Sequence, residues 1–109
     1  MAYNEQLAER VRVALSRKRS IREQKMFGGI CFLMSGNMLV GVWKDSLMVR
    51  LGAEQAAKAL QEPDVKPFDI VGRPMRGWVV VKPAGLEEDE QLLHWISRAQ
   101  NFVRQLPKK

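Results

Sequence analysis

The chain has 109 residues, which is enough for one domain with its own hydrophobic core and short for two, so we expect a single domain over residues 1–109. A content of 46% hydrophobic and 28% charged residues excludes an intrinsically disordered chain, and no run approaches the roughly 20 apolar residues of a membrane span. A single cysteine excludes an internal disulfide. The single cysteine, together with the lack of an apolar signal-peptide core near the start, favours a cytoplasmic protein.

The first predicted element is a helix from Asn4 to Lys18, with the Asn4 side chain as the N-cap acceptor. Val13 lies off its apolar stripe. The stripe follows helical spacing and consists of Leu7, Val11, Ala14 and Leu15.

Most of the net charge of +6 lies in this helix and its exit, because residues 1–25 hold seven bases and three acids. Such a patch attracts phosphates, so a nucleic-acid interface is one hypothesis. A solvated helix end is the alternative, since no aromatic residues interleave with the bases and no helix-turn-helix or zinc spacing is present. The bases concerned are Arg17, Lys18, Arg19, Arg22 and Lys25.

Residues 20–51 predict four strands joined by tight turns, and the central strands are apolar on both faces. Gly28-Gly29 separates the first two strands and indicates a bulge, a tight bend or the close approach of another backbone. The functional alternative is a binding loop whose bare backbone approaches a ligand. The predicted strands are Ser20–Phe27, Ile30–Met34, Met38–Trp43 and Leu47–Leu51.

Alternation along the two most apolar strands predicts which side chains share a face. Ile30, Phe32 and Met34 point one way and Cys31 and Leu33 the other. On the next strand the predicted sets are Met38, Val40 and Val42 against Leu39 and Trp43. Alternation does not decide which set faces the helices.

The second half of the chain predicts a short helix, two strands and a long helix. The short helix covers Ala53–Gln61, with Ala56, Ala57 and Leu60 towards the sheet. Strands are expected over 68–71 and 78–81, separated by a loop rich in proline and glycine. The last helix begins near Glu87, where acidic residues suit the positive end of the helix dipole, and stops at Pro107. Its apolar stripe is Leu92, Ile96, Ala99, Val103 and Leu106, flanked by Trp95 and Phe102.

The element order α-β-β-β-β-α-β-β-α indicates an α+β fold of two layers, in which helices cover one face of an antiparallel sheet of five to six strands. Three motifs in this order resemble the N-terminal domain of the TfoX/Sxy competence-regulator family: Met26-Phe27-Gly28-Gly29, Leu47-Met48-Val49-Arg50, and Gly72-Arg73-Pro74-Met75 with Gly77-Trp78. The resemblance implies a secretion-chaperone-like fold, a dimer and no established catalysis. Full-length members assist transcription together with the cyclic-AMP receptor protein. This chain is expected to be a stand-alone first domain without their C-terminal helical domain.

The apolar strands predict more hydrophobic sheet surface than three small helices can cover. We therefore expect a module that forms a homodimer, or binds a protein partner, through the exposed face of the sheet. The candidates for that surface are Phe32, Met34, Met38, Val40, Val42 and Trp43.

A second candidate site consists of Arg50, Arg73 and Arg76. If the strands that carry them end near each other, their guanidinium groups converge on a small anion, because the planar fork suits carboxylate or phosphate. The alternative is that Arg50 pairs with Asp45 or Asp69 and the other two are solvated.

No constellation of residues predicts catalysis, a metal or a cofactor. Cys31 and His94 are the only cysteine and histidine, so a protein metal site is not expected. Cys31 lies in mid-strand, where a buried inert thiol is expected, and His94 points away from the stripe of its helix. We therefore expect a non-enzymatic protein with no cofactor.

Overall fold

The computed structural model of the chain describes residues 3–16, 21–26, 28–69 and 74–107, and these residues form three α-helices, six strands and one 3-10 helix. The α+β class and the element order are those predicted from the sequence. In chain order the elements are α1 (Glu5–Ala14), β1 (Ile21–Met26), β2 (Gly29–Met34), β3 (Asn37–Trp43), β4 (Ser46–Arg50), α2 (Ala53–Ala59), β5 (Val65–Asp69), β6 (Pro74–Val81), the 3-10 helix (Pro83–Gly85) and α3 (Asp89–Val103).

All six strands belong to one antiparallel sheet with the order β1-β2-β3-β4-β6-β5. Both strands of the β5–β6 pair are longer than predicted, since β5 begins at Val65 and β6 at Pro74. The prolines of this region suggested a loop. Pro67 is nevertheless tolerated in β5, because β5 is an edge strand that pairs only with β6 and has no second strand to which a backbone N–H would have to donate. The predicted strand end at residues 70–71 lies outside the described residues.

Helix α1 is capped as predicted, because the backbone N–H of Leu7 donates to Asn4 Oδ1 at 3.0 Å. It ends at Ala14, and Leu15 and Ser16 form a turn, so the prediction that the helix continues through them was wrong. The last two predicted positions, 17 and 18, lie outside the described residues. Helix α3 begins later than predicted, with Glu88 as its N-cap. A capping box joins Glu88 to Gln91, whose Oε1 accepts from the Glu88 N–H at 2.8 Å.

The principal core lies between one face of the sheet and the three helices. Its largest contributions from the sheet are buried side chains of β2, β3, β4 and β6. The predicted stripe of α3 is confirmed for Leu92, Ile96, Ala99 and Val103, which are all buried. The predicted continuation to Pro107 was wrong, because the helix ends at Val103 and Leu106 lies half-buried beyond it. The face predicted for α2 was wrong in part. Ala56 and Ala59 are buried, while Ala57 and Leu60 are exposed, because the helix presents positions three apart to β6.

The opposite face of the sheet carries a second group of buried apolar side chains, here called the outer cluster. It consists of Cys31, Leu33, Met48, Phe68, Trp78 and Val80, with Met38, Trp43 and Met75 partly buried against it. The rings of Phe68 and Trp78 pack at 5.8 Å between centroids, tilted by 58°. The strands are therefore apolar on both faces, as their sequence predicts. However, the six members of the outer cluster are already buried within the chain.

A β-bulge in β3 overturns the faces predicted for Met38 and Leu39. Phe32 pairs with Val40 but Leu33 pairs with Met38, so Leu39 is an extra residue opposite β2. As a result Leu39 and Val40 both enter the principal core, and Met38 moves to the outer cluster. The prediction that Met38 shares a face with Val40 was therefore wrong, whereas the faces predicted for β2 are correct.

Candidate functional site

The six residues predicted for an exposed sheet surface divide between the two faces. Phe32, Val40 and Val42 are fully buried in the principal core, and Met34 packs against it. The prediction that these four lie on an uncovered face was wrong, because the helices cover that side of β2 and β3. Met38 and Trp43 do lie on the other face, at the margin of the outer cluster, and Lys44 Nζ lies 4.7 Å from the centroid of the Trp43 ring.

A groove between α1 and α3 is lined by two of the three exposed large hydrophobic side chains of the described residues. Among the described residues, three large hydrophobic side chains are exposed: Val13 by 62%, Leu93 by 48% and Leu60 by 39%. Val13 and Leu93 line the same groove, which has a volume of about 260 Å³. We call it the α1–α3 groove, and its lining consists of Glu9, Arg10, Val13, Ala14, Asp89, Leu92 and Leu93.

An ion pair joins the two helices in this groove. Arg10 donates from Nη2 and Nε to Asp89 Oδ1, at 3.1 Å and 3.2 Å. Arg10 is half-buried and Asp89 is open to solvent, so the pair contributes little to the free energy of unfolding. Its importance for the groove is that it places a base and an acid together beside exposed Val13 and Leu93.

A second cleft contains two of the three arginines predicted to form an anion site. Arg50, at the end of β4, and Arg76, on β6, line one cavity of about 260 Å³ together with Trp78 and Phe102. We call it the Arg50 cleft. Arg73, the third predicted member, lies outside the described residues. The predicted alternative pairing of Arg50 with Asp45 or Asp69 is not found, because Arg50 Nη1 donates instead to the Met38 carbonyl at 3.3 Å.

In the Gly28-Gly29 pair, which was predicted as a possible binding loop, the second glycine allows two strands to pack closely. Gly28, with φ of 76°, lies in the turn between β1 and β2. Gly29 is buried, and a Cβ there would lie 2.2 Å from the Val42 carbonyl oxygen of β3. The approaching group is therefore the backbone of a neighbouring strand.

The basic residues near α1 are only partly described. Arg17, Lys18 and Arg19 lie outside the described residues, whereas Arg22 and Lys25 are exposed on the edge strand β1. Arg12, inside the helix, forms ion pairs with Glu23 and Glu9, and the hydrogen bonds that it donates to their carboxylates raise its pKa. Arg12 therefore adds little to a basic surface on the part of α1 that the structure describes.

Cys31 and His94 lie on different layers of the molecule. Cys31 is buried in the outer cluster, and that burial raises the pKa of its thiol to about 11. His94 is exposed on α3, which packs on the other face of the sheet. The two side chains are not brought together, and no group of three potential metal ligands occurs within the described ranges.

The fold and these sites can now be compared with known proteins. The model of the TfoX N-terminal domain family matches residues 13–103. The chain belongs to this family. Comparison with curated proteins and with solved structures gave no match. In the described part of this TfoX N-terminal domain, no helix is long and apolar enough to cross a membrane.

The region matched by the TfoX model contains all six strands, α2 and α3, but of α1 only Val13 and Ala14. The Arg50 cleft therefore lies wholly within it, whereas Glu9 and Arg10 of the α1–α3 groove precede it. Sequence reasoning missed this groove. The signal was Val13, an apolar residue off the stripe of its helix, but its neighbour Leu93 comes 80 positions later and only the fold brings them together.

Proposed function

We propose that this TfoX N-terminal domain is a non-enzymatic interaction module that associates with a second copy of itself through the α1–α3 groove. The observation that supports this most directly is that Val13 and Leu93, the two most exposed large apolar side chains of the described residues, line one groove. Apolar side chains concentrated in this way are characteristic of contact surfaces, whereas single exposed residues are ordinary.

The charges beside the groove favour a second copy over a partner of one sign. Arg10 is a base and Glu9 and Asp89 are acids, all lining the same groove. In a two-fold dimer the same surface patch of both copies forms the contact. A patch that carries acidic and basic residues can therefore place an acid of one copy opposite a base of the other. A partner of strongly acidic or basic character would meet a like charge on one side of the groove.

The outer cluster is a weaker candidate for this contact than the sequence suggested. Its six members, including Phe68 and Trp78, are buried before any partner is present. Association through that face would gain little additional burial from them, because the hydrophobic gain scales with apolar area removed from water. Among the described residues of that cluster, the partly buried Met38, Trp43 and Met75 remain to be covered.

Light scattering coupled to size-exclusion chromatography over a range of protein concentrations tests the proposal. The natural chain should have a mass approaching twice 12.5 kDa as the concentration rises. The double variant Val13→Glu/Leu93→Glu should remain a monomer, because each new carboxylate would have to be desolvated in the contact. Both positions are exposed, so the variant should retain the circular dichroism spectrum and melting temperature of the natural chain.

Leu60→Glu is the matched control, because Leu60 is the third exposed large apolar side chain among the described residues and lies at the C-cap of α2, away from the groove. It should associate like the natural chain. A natural chain that is monomeric at every concentration would refute self-association. A dimer that survives the double variant but not Leu60→Glu would place the contact elsewhere.

A further inference from the structure

The Arg50 cleft lies where the ends of β4 and β6 meet the last turns of α3. Arg50 comes from β4, Arg76 and Trp78 from β6, and Phe102 from α3. Its position on the molecule is separate from the α1–α3 groove, with which it shares no lining residue. Ligand binding in the Arg50 cleft would therefore not depend on self-association.

Arg50 is held in place from two sides. Its Nη1 donates to the Met38 carbonyl at 3.3 Å, at the bulge of β3, and its guanidinium carbon lies 5.8 Å from the centroid of the Phe102 ring. One bond to a carbonyl uses one of the five N–H donors of a guanidinium. The group is half-buried and its charge is fixed beside the cleft.

The charge of the cleft is not compensated by nearby acids. Arg10, Arg12 and Arg98 each have a carboxylate within 3.2 Å. By contrast, no carboxylate of the described residues lies within salt-bridge distance of Arg50 or Arg76, and no acidic residue lines the cavity. Arg50 and Arg76 therefore both line this cavity, and none of its lining residues is an acid.

Glycines keep the wall between the two strand ends free of side chains. Gly52 and Gly77 both have positive φ, of 84° and 89°, and the Gly77 carbonyl accepts from the N–H groups of Leu51 and Gly52 at 2.8 Å and 3.0 Å. A Cβ on Gly52 would lie 2.6 Å from the Phe102 ring. The bare backbone thus allows the ring to lie against this wall of the cleft.

We propose that the Arg50 cleft binds a small phosphate monoester, with Arg50 and Arg76 on the phosphate and Phe102 and Trp78 beside its organic group. Two arginines match the double negative charge of a phosphate monoester, and the guanidinium fork matches its oxygens. The cavity of about 260 Å³ is slightly smaller than typical sites for drug-sized ligands, so it suits a compact ester.

Binding is measured by isothermal titration calorimetry with phenyl phosphate, inorganic phosphate and benzoate at constant ionic strength. Phenyl phosphate should bind tightest, because it alone has both the dianion and the ring. Arg76→Gln should weaken phenyl phosphate about tenfold, the change expected from losing one charge-assisted hydrogen bond. Arg76 is exposed, so this variant should fold normally, whereas Arg50→Gln also removes the contact with Met38 and needs a check of its melting temperature.

Arg22→Gln is the control for loss of one positive charge, because Arg22 lies exposed on β1, away from the cleft. Its affinity for phenyl phosphate should equal that of the natural chain. No binding of phenyl phosphate at millimolar concentrations, or equal weakening by Arg22→Gln and Arg76→Gln, would overturn the proposal. Equal affinity for inorganic phosphate and phenyl phosphate would overturn the assignment of an organic group.

Discussion

Arg12 on α1 donates two hydrogen bonds to the Glu23 carboxylate on β1, from Nε at 2.7 Å and from Nη2 at 2.8 Å. This bidentate pair joins the first helix to the edge strand, across the four residues that separate the two described segments. The hydrogen bonds from Arg12 lower the pKa of Glu23, although burial partly opposes the shift. The contribution of this pair to holding β1 against α1 therefore depends on pH.

We expect Glu23→Gln to reduce the free energy of unfolding at pH 7 by less than about 1 kcal/mol, because the pair is largely open to solvent. A lowered folded-state pKa gives stability above the pKa of Glu23 in the unfolded chain and loses it as the pH falls through the folded-state pKa. The difference between the natural chain and Glu23→Gln should thus vanish in acid. Urea unfolding at pH 7 and pH 3 measures it. Glu54→Gln, which removes an exposed pair with Lys58, is the comparison, and an equal pH effect there would contradict a special contribution of Glu23.

The Cys31 thiol should be inert in the folded protein. Its pKa of about 11 leaves about one thiolate per thousand molecules at pH 8, and its burial in the outer cluster blocks reagents. Ellman's reagent should react slowly with the native chain and fully in guanidinium chloride. A Ser97→Cys variant supplies an exposed thiol on α3 and should show one fast and one slow phase. Rapid reaction of the natural chain would show that the outer cluster opens readily.

The elements that the sequence predicted well are those fixed by local patterns. The Asn4 cap and the stripe of α3 depend only on residues within a few turns of each other, so periodicity and capping chemistry are sufficient to find them. The six-stranded sheet followed from alternation and turn residues. The burial of Cys31 was predictable because it lies in the middle of an apolar strand.

The features that the sequence did not predict depend on register and on distant contacts. One extra residue at Leu39 reverses the face of Met38, and nothing in the local alternation marks it. Burial of the outer cluster requires Phe68 and Trp78, which come far later in the chain than the strands they cover. Likewise, the arginines of the Arg50 cleft were selected by residue type, but Phe102 as their neighbour came only from the fold.

Of the two glycines where β1 turns into β2, Gly29 at the start of β2 should be the less replaceable. Alanine there would place a Cβ 2.2 Å from the Val42 carbonyl oxygen, a backbone atom that cannot rotate away, so β2 and β3 would have to separate. We expect Gly29→Ala to lower the free energy of unfolding by more than about 2 kcal/mol. Gly28→Ala is the control, because its Cβ meets nothing within 4 Å and only its positive φ carries a cost, of about 1 kcal/mol. Equal losses in urea unfolding would contradict the close approach.

Gln100 is a buried polar residue whose replacement should stabilise the chain. It is 5% exposed on the buried side of α3, and its Nε2 has no hydrogen-bond partner among the described residues. Burying an amide without a partner costs free energy, so Gln100→Met, of similar length and shape, should raise the free energy of unfolding by about 1 kcal/mol. Gln55→Met, on the exposed side of α2, should leave it within about 0.5 kcal/mol of the natural value. A loss of stability in Gln100→Met would mean that the amide makes a bond worth more than the apolar contact that replaces it.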